Sequence, residues 1–183
     1  MVQLLENALP IVESDGLNSN KAAVMGGAWT MNGAITFNGT VTFAGAQVKP
    51  VNGSAAGTTL TAAGSGATFL FDTAAGITYT LPAPVVGATY DFIVTTSVTS
   101  SNHKVITSAG TVLLQGAITS ATTTASVFES VIGSSNISIT MNGSTTGGLV
   151  GSNFTFKCLS AILWQVSGTN FTSGTTATPF ATT

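Results

Sequence analysis

The stretch Trp29 to Ala46 constrains the fold of this chain more than any other, because it reads WTMNGA ITFNGT VTFAGA when cut into six-residue units. Each unit opens on a large apolar residue (Trp29, Ile35, Val41), continues with Thr and a second apolar residue (Met31, Phe37, Phe43), and carries Gly fifth. Successive side chains on a strand point to opposite faces, so the six apolar residues share one face and the threonines the other. Asn-Gly and Ala-Gly supply the positive φ that a sharp corner needs. The pattern predicts a short strand and a corner, repeated.

Two architectures fit. In an antiparallel meander, Asn32-Gly33 and Asn38-Gly39 are two-residue hairpin turns. In a β-helix or β-prism the same glycines are corners, and a hexapeptide period is a signature of such coils. Neither buries its apolar face alone, since short hairpins and single repeats need neighbours. Three hexads make about one turn of a triangular coil, which leads to the expectation that three chains wrap around a shared axis. Trp29, Met31, Ile35, Phe37, Val41 and Phe43 are then the trimer interface.

The 183 residues suit one main domain with appendages. Charged side chains make up 5% of the chain, against about 25% in average soluble domains. So little charge gives weak protection against association and suits a molecule packed in an assembly. The lysines (Lys21, Lys49, Lys104, Lys157) are scattered and Arg is absent. Nucleic-acid binding requires clustered cations to neutralise phosphates, so it is not expected. Mean hydropathy is positive, yet Gly, Ser and Thr interrupt every apolar run well short of the roughly 18 residues of a spanning helix, so no membrane partner is expected either. MVQLLENALPIVESDG has no basic start and no long apolar block, which points to synthesis in the cytosol without a secretory signal.

Residues 1–25 differ from the rest. VQLLENAL is too short to stand as a helix in water. Leu4, Leu5, Leu9, Ile11 and Val12 are more apolar than a free tail requires, so the segment is expected to be a docking arm that orders on a partner. Residues 26–57 comprise the hexads and a hinge at Pro50 and NGSAAGT. Residues 58–183 are expected to form a β-sandwich domain with an extended tail, since from Leu60 to Val166 the chain is a succession of short β-like runs separated by turn residues, the spacing of a sandwich or barrel. Tyr90, Phe92 and Val94 alternate onto one face in TYDFIV, as do Phe154, Phe156 and Cys158 in NFTFKC; both sets are core candidates. The tail Gly168 to Thr183 is expected to pack as extended chain without forming a strand. The fold class is all-β: an extended arm, a hexad-repeat β-prism, β-helix or meander, then a β-sandwich or jelly-roll-like domain.

Catalytic chemistry is sparse. His103 is the single imidazole, in the turn-like SSNHK, and is expected to be a solvated loop residue. No GxSxG elbow, HExxH, DxDxDG loop or Cys/His pairing occurs, so no catalytic residue, metal or cofactor is expected. Asp72 and Asp91 are the one carboxylate pair with a chance of meeting in space; turn hydrogen bonds or edge charges are their ordinary roles. Cys158, the only cysteine, is expected to be a buried, inert hydrophobe. Asn-x-Ser/Thr triplets, among them those at Asn142, Asn153 and Asn170, read as turns and polar strands rather than glycan sites.

LPAPVVGATYDFIVTTSVTSSNHKVIT together with FTFKCLSAILWQVSGTNFTSGTTATPF resembles a β-domain of tailed-bacteriophage virion proteins. The matching residues are Leu81, Pro82, Gly87, Tyr90, Phe92, Val94, Trp164, Val166 and Gly168, followed by Thr178 to Phe180, and the likeness covers about residues 58–181. It implies a non-enzymatic virion component, and at this size a trimeric capsid decoration (cement) protein partnered by itself and by the major capsid protein of the phage head. Its place would be the capsid surface of a virion assembled in a bacterial cytoplasm. The hexads and the arm lie outside the resemblance. A short tail fibre or tailspike segment presenting a receptor-binding tip is the alternative. A carbohydrate-binding or carbohydrate-acting sandwich ranks third, because it needs an aromatic platform beside paired carboxylates that the sequence does not show.

Overall fold

The computed structural model describes residues 50–53 and 58–183, which fall within one compact unit, Ala46–Thr183. The hexad face and the docking arm lie outside the described residues. What is described is all-β apart from a single 3₁₀ turn at Ala62–Gly64.

The strands are β1 (Val51–Asn52), β2 (Thr58–Thr59), β3 (Thr68–Phe71), β4 (Thr78–Thr80), β5 (Thr89–Val94), β6 (His103–Ile106), β7 (Leu113–Ala121), β8 (Ala125–Ser130), β9 (Ser138–Met141), β10 (Asn153–Ser160), β11 (Leu163–Phe171) and β12 (Phe180–Ala181). They build a seven-stranded sheet, β1-β3-β5-β10-β11-β7-β8, and a five-stranded sheet, β12-β9-β6-β4-β2. Val51–Asn52 belongs by sequence to the stretch ahead of the sandwich, yet it already pairs with β3.

Both sheets are mixed, and the mixture has a simple origin. From β1 to β6 the chain alternates between the sheets, and each strand pairs in parallel with the one two steps earlier: β1 with β3, β3 with β5, β2 with β4, β4 with β6. A parallel partner requires a crossover, and here the crossover is the strand of the opposite sheet. The chain therefore winds as a flattened two-sheet coil. After β6 the pairings are antiparallel, except that β11 lies parallel to β7 over Leu163–Leu113 to Phe171–Ala121.

Alternation places the core as expected. Tyr90, Phe92 and Val94 from β5 and Phe154, Phe156 and Cys158 from β10 are all buried, and β11 adds Trp164 and Val166. The two sheets meet through rings: Tyr79 on β4 lies 5.5 Å from Phe69, 5.1 Å from Phe71 and 5.4 Å from Phe92, centroid to centroid. Each buried Phe contributes about 1.5–3 kcal/mol from burial, and tilted or edge-on ring pairs add about 0.5–1.5 kcal/mol. Cys158 is buried, and its thiol donates to the Ser160 carbonyl at 3.3 Å. Burial pushes that thiol's pKa up, which keeps it protonated and unreactive.

Three local expectations are corrected. His103 is not a solvated loop residue: it opens β6 and its ring is wholly buried. The tail does form a strand, since Phe180 and Ala181 pair with Ile139 and Ser138 of β9. Asp91 is not an edge charge, because β5 lies between β3 and β10; its Oδ1 accepts the Thr155 hydroxyl at 2.6 Å.

Candidate functional site

Strand register gathers several loops at one end of the seven-stranded sheet. β5 begins at Thr89, opposite Lys157 near the end of β10; β11 begins at Leu163 beside Leu113, the first residue of β7; and β8 ends at Ser130, opposite Gly116. The segments around Val85–Val86, Val131–Ile132 and Leu159–Ile162 therefore emerge together. All six of these apolar residues (Val85, Val86, Val131, Ile132, Leu159, Ile162) are exposed, Ile132 at 87%.

Local sequence explains why they are not in the core. PVVG and SVIGSS set branched residues directly against turn glycines, where the chain has left the sheets. Leu159 follows Cys158 on β10, so alternation sends it outward when Cys158 turns in. Beneath Val131, Ile132 and Leu159 runs an open groove of about 530 Å³, with Gln115 and Gln165 from the neighbouring strands β7 and β11 along it. Residues 82–88, 107–112, 131–137 and 159–162 carry no charged side chain. Val131, Ile132 and Leu159 share that groove with Gln115 and Gln165, and exposed apolar surface rimmed by polar residues marks interaction sites. The opposite end of the sheet differs: it carries the Thr122–Thr124 turn and the Asn142 loop, where Asn142 Oδ1 accepts the Ser144 and Thr146 N–H groups at 2.9 and 3.0 Å.

The groups singled out for chemistry are dispersed. Asp91 pairs with Thr68, four residues before Asp72, so the two backbone positions lie about 13 Å apart along the strand direction. Among the described residues no three His, Cys, Asp or Glu side chains gather where a metal could sit, and no helix is long and apolar enough to cross a membrane. His103 has both ring nitrogens against backbone groups, at 3.2 Å from the Ile77 nitrogen and 3.4 Å from the Thr96 oxygen. Ser130 donates its hydroxyl proton to the Leu114 carbonyl at 2.7 Å and accepts from Asn136 Nδ2 at 3.0 Å, so it has no adjacent base.

The expected interface residues Trp29, Met31, Ile35, Phe37, Val41 and Phe43 and the arm residues Leu4, Leu5, Leu9, Ile11 and Val12 are outside the described residues. Sequence reasoning missed the loop pairs Val85–Val86 and Val131–Ile132, although two branched apolar residues beside a turn glycine are a readable signal. Fold and surface together define a two-sheet, mixed β-sandwich with an apolar end whose loops carry no charge. Comparison with protein-family models, curated proteins and solved structures finds no match.

Proposed function

We propose that this chain is a structural virion protein that binds the outside of a tailed-bacteriophage capsid as a homotrimer and stabilises the shell. The observation that carries the reading is the set of exposed apolar residues on the uncharged loops of one end, Val85, Val86, Val131, Ile132, Leu159 and Ile162. Apolar burial stabilises a contact by roughly 25 cal/mol per Å². Such an end suits docking on another protein surface, and the resemblance over 58–181 says which kind. On this reading residues 1–25 are an arm docking on the shell, residues 26–57 are the trimer seam and hinge, and the sandwich domain is jelly-roll-like.

The work is mechanical. A trimer that binds the intact lattice and not its dissociated subunits stabilises the lattice by its binding free energy at each site. Particles lacking the protein should keep their shape and release DNA at a lower temperature. Because few charges are available, the effect should depend weakly on ionic strength. Heating stripped and complete particles at low and high salt, and following DNA release, tests both points. Equal release temperatures would refute the cement role; loss of host adsorption on deletion would instead favour a tail fibre.

A further inference from the structure

We infer that His103 is an acid-sensitive latch, holding two strand crossovers of the coil together at neutral pH and releasing them when it takes up a proton. The inference concerns the isolated chain and is independent of the docking role.

The crossovers are residues 72–77, from β3 to β4, and 95–102, from β5 to β6. They run side by side: Thr99 and Ser100 donate their N–H groups to the Ala74 carbonyl at 2.9 and 3.3 Å, and Gly76 donates to Ser100 at 2.8 Å. His103 ends the second crossover, with its ring buried and its centroid 4.5 Å from that of Phe71 on β3. The Ile77 N–H points at Nδ1, 3.2 Å away. A backbone N–H can only donate, so Nδ1 is the bare nitrogen and the proton of the neutral ring sits on Nε2, which faces the Thr96 carbonyl at 3.4 Å. One side chain therefore ties the end of the first crossover (Ile77) to the start of the second (Thr96). Ile77 is held from its other side as well, its carbonyl accepting the Lys104 N–H at 2.7 Å.

Protonation of Nδ1 by a solvent proton removes the acceptor that faces the Ile77 N–H and sets two donors against each other. It also places a cation against Phe71 and opposite Met141 in the core, where a buried charge is costly. The titratable groups around the ring do not reverse this. Burial is the largest influence and lowers the pKa of His103 below its usual value, outweighing the Thr96 carbonyl and Asp72, just past β3, which both favour the cation. Tyr79 on β4 stays a neutral phenol, its pKa pushed up to about 12, and Lys104 alternates to the other face of β6. An opened crossover exposes an ordinary imidazole, which titrates near 6.5. As pH falls below that value the open form takes up a proton that the closed form refuses, so opening becomes more favourable; above it the latch contributes fully.

His103→Gln supplies the control, because a carboxamide offers one acceptor and one donor and does not titrate. Between pH 7 and 5, amide exchange at Ile77, Thr99 and Lys104, corrected for its intrinsic pH dependence, should accelerate in the wild type relative to the variant. The limit is about tenfold per pH unit while the native ring remains neutral. The chain has a single histidine, so its imidazole resonances are unambiguous. They should show the Nε2–H tautomer at pH 7 and a native midpoint clearly below 6.5. Wild type and variant accelerating in parallel would overturn the proposal. If the variant does not fold, the wild type alone decides: an imidazole titrating near 6.5 with no change in Ile77 exchange would overturn it equally.

Discussion

Asn170 on β11 reaches back to Gly148, its Oδ1 accepting the Gly148 N–H at 3.1 Å, while its Nδ2 donates to Ser120 Oγ at 3.2 Å and to the Thr146 carbonyl at 3.0 Å. The carboxamide is fully buried, and Gly147, at φ +87°, leaves it room that any Cβ would fill. Replacing Asn170 by Leu strands the buried Gly148 N–H and the half-buried Thr146 carbonyl together, and a buried group left unpaired costs about 1–3 kcal/mol. Asn170→Leu should therefore lower stability by about 2–4 kcal/mol in urea unfolding. A loss under about 1 kcal/mol would mean that water or a shifted loop satisfies both groups.

Gly116 should be the least replaceable residue of β7. It has φ +136° and sits opposite Val166 in the parallel β7–β11 ladder, where a Cβ would run into the Val166 carbonyl. Gly116→Ala adds backbone strain of about 1–3 kcal/mol and forces the two strands apart. A thermal scan should show a large drop in Tm. Gly110→Ala, with open space around its Cβ, should stay within about 0.5 kcal/mol of the wild type.

The alkaline limb of stability should depend on Tyr79. Its hydroxyl donates to the Leu70 carbonyl at 2.8 Å, and burial, with Asp72 nearby, raises its pKa from 10.0 to about 12. The unfolded chain ionises near 10 and the native chain two units higher, so the contribution of Tyr79 is intact below pH 10 and is lost between pH 10 and 12. The steepest slope from one group is about 1.4 kcal/mol per pH unit. Tyr79→Phe should lower stability by about 1 kcal/mol at neutral pH, through the lost hydrogen bond, and flatten the profile above pH 10. Tyr90, raised in the same direction, should leave a residual slope. Unfolding curves from pH 8 to 12 for both proteins are the measurement.

On the proposed function, docking and trimerisation should separate by mutation. Ile132→Asp places a charge on the most exposed residue of the apolar end without touching the core. It should preserve folding and trimerisation yet weaken binding to stripped capsids by about 10- to 100-fold, the equivalent of one buried apolar side chain. Phe37→Asp should disturb the trimer, read by sedimentation, while the sandwich keeps its melting profile. The reverse pattern would exchange the roles assigned to the two surfaces.

The sequence by itself determined which residues enter the core of the long strands, because alternation is a property of two neighbouring residues and needs no partner. Tyr90, Phe92 and Val94, like Phe154, Phe156 and Cys158, were legible for that reason. The all-β class followed from the same local pattern and from the lack of a helical stripe. Strand order was not legible: pairing Leu163 with Leu113, in parallel and 50 residues back, depends on where the coil of β1 to β6 leaves an open edge. His103 shows the boundary between the two. Its parity with Val105 already placed it on the inner face of HKVIT, yet SSNHK reads as a solvated turn until the neighbouring crossover brings Phe71 and Ile77 against the ring. The apolar end was half legible. The turn glycine beside Val131 and Ile132 marks them as leaving the sheet, but the register that sets the end of β8 against the start of β7 decides which loops share that end, since such grouping depends on what lies next to a side chain and not on the side chain itself.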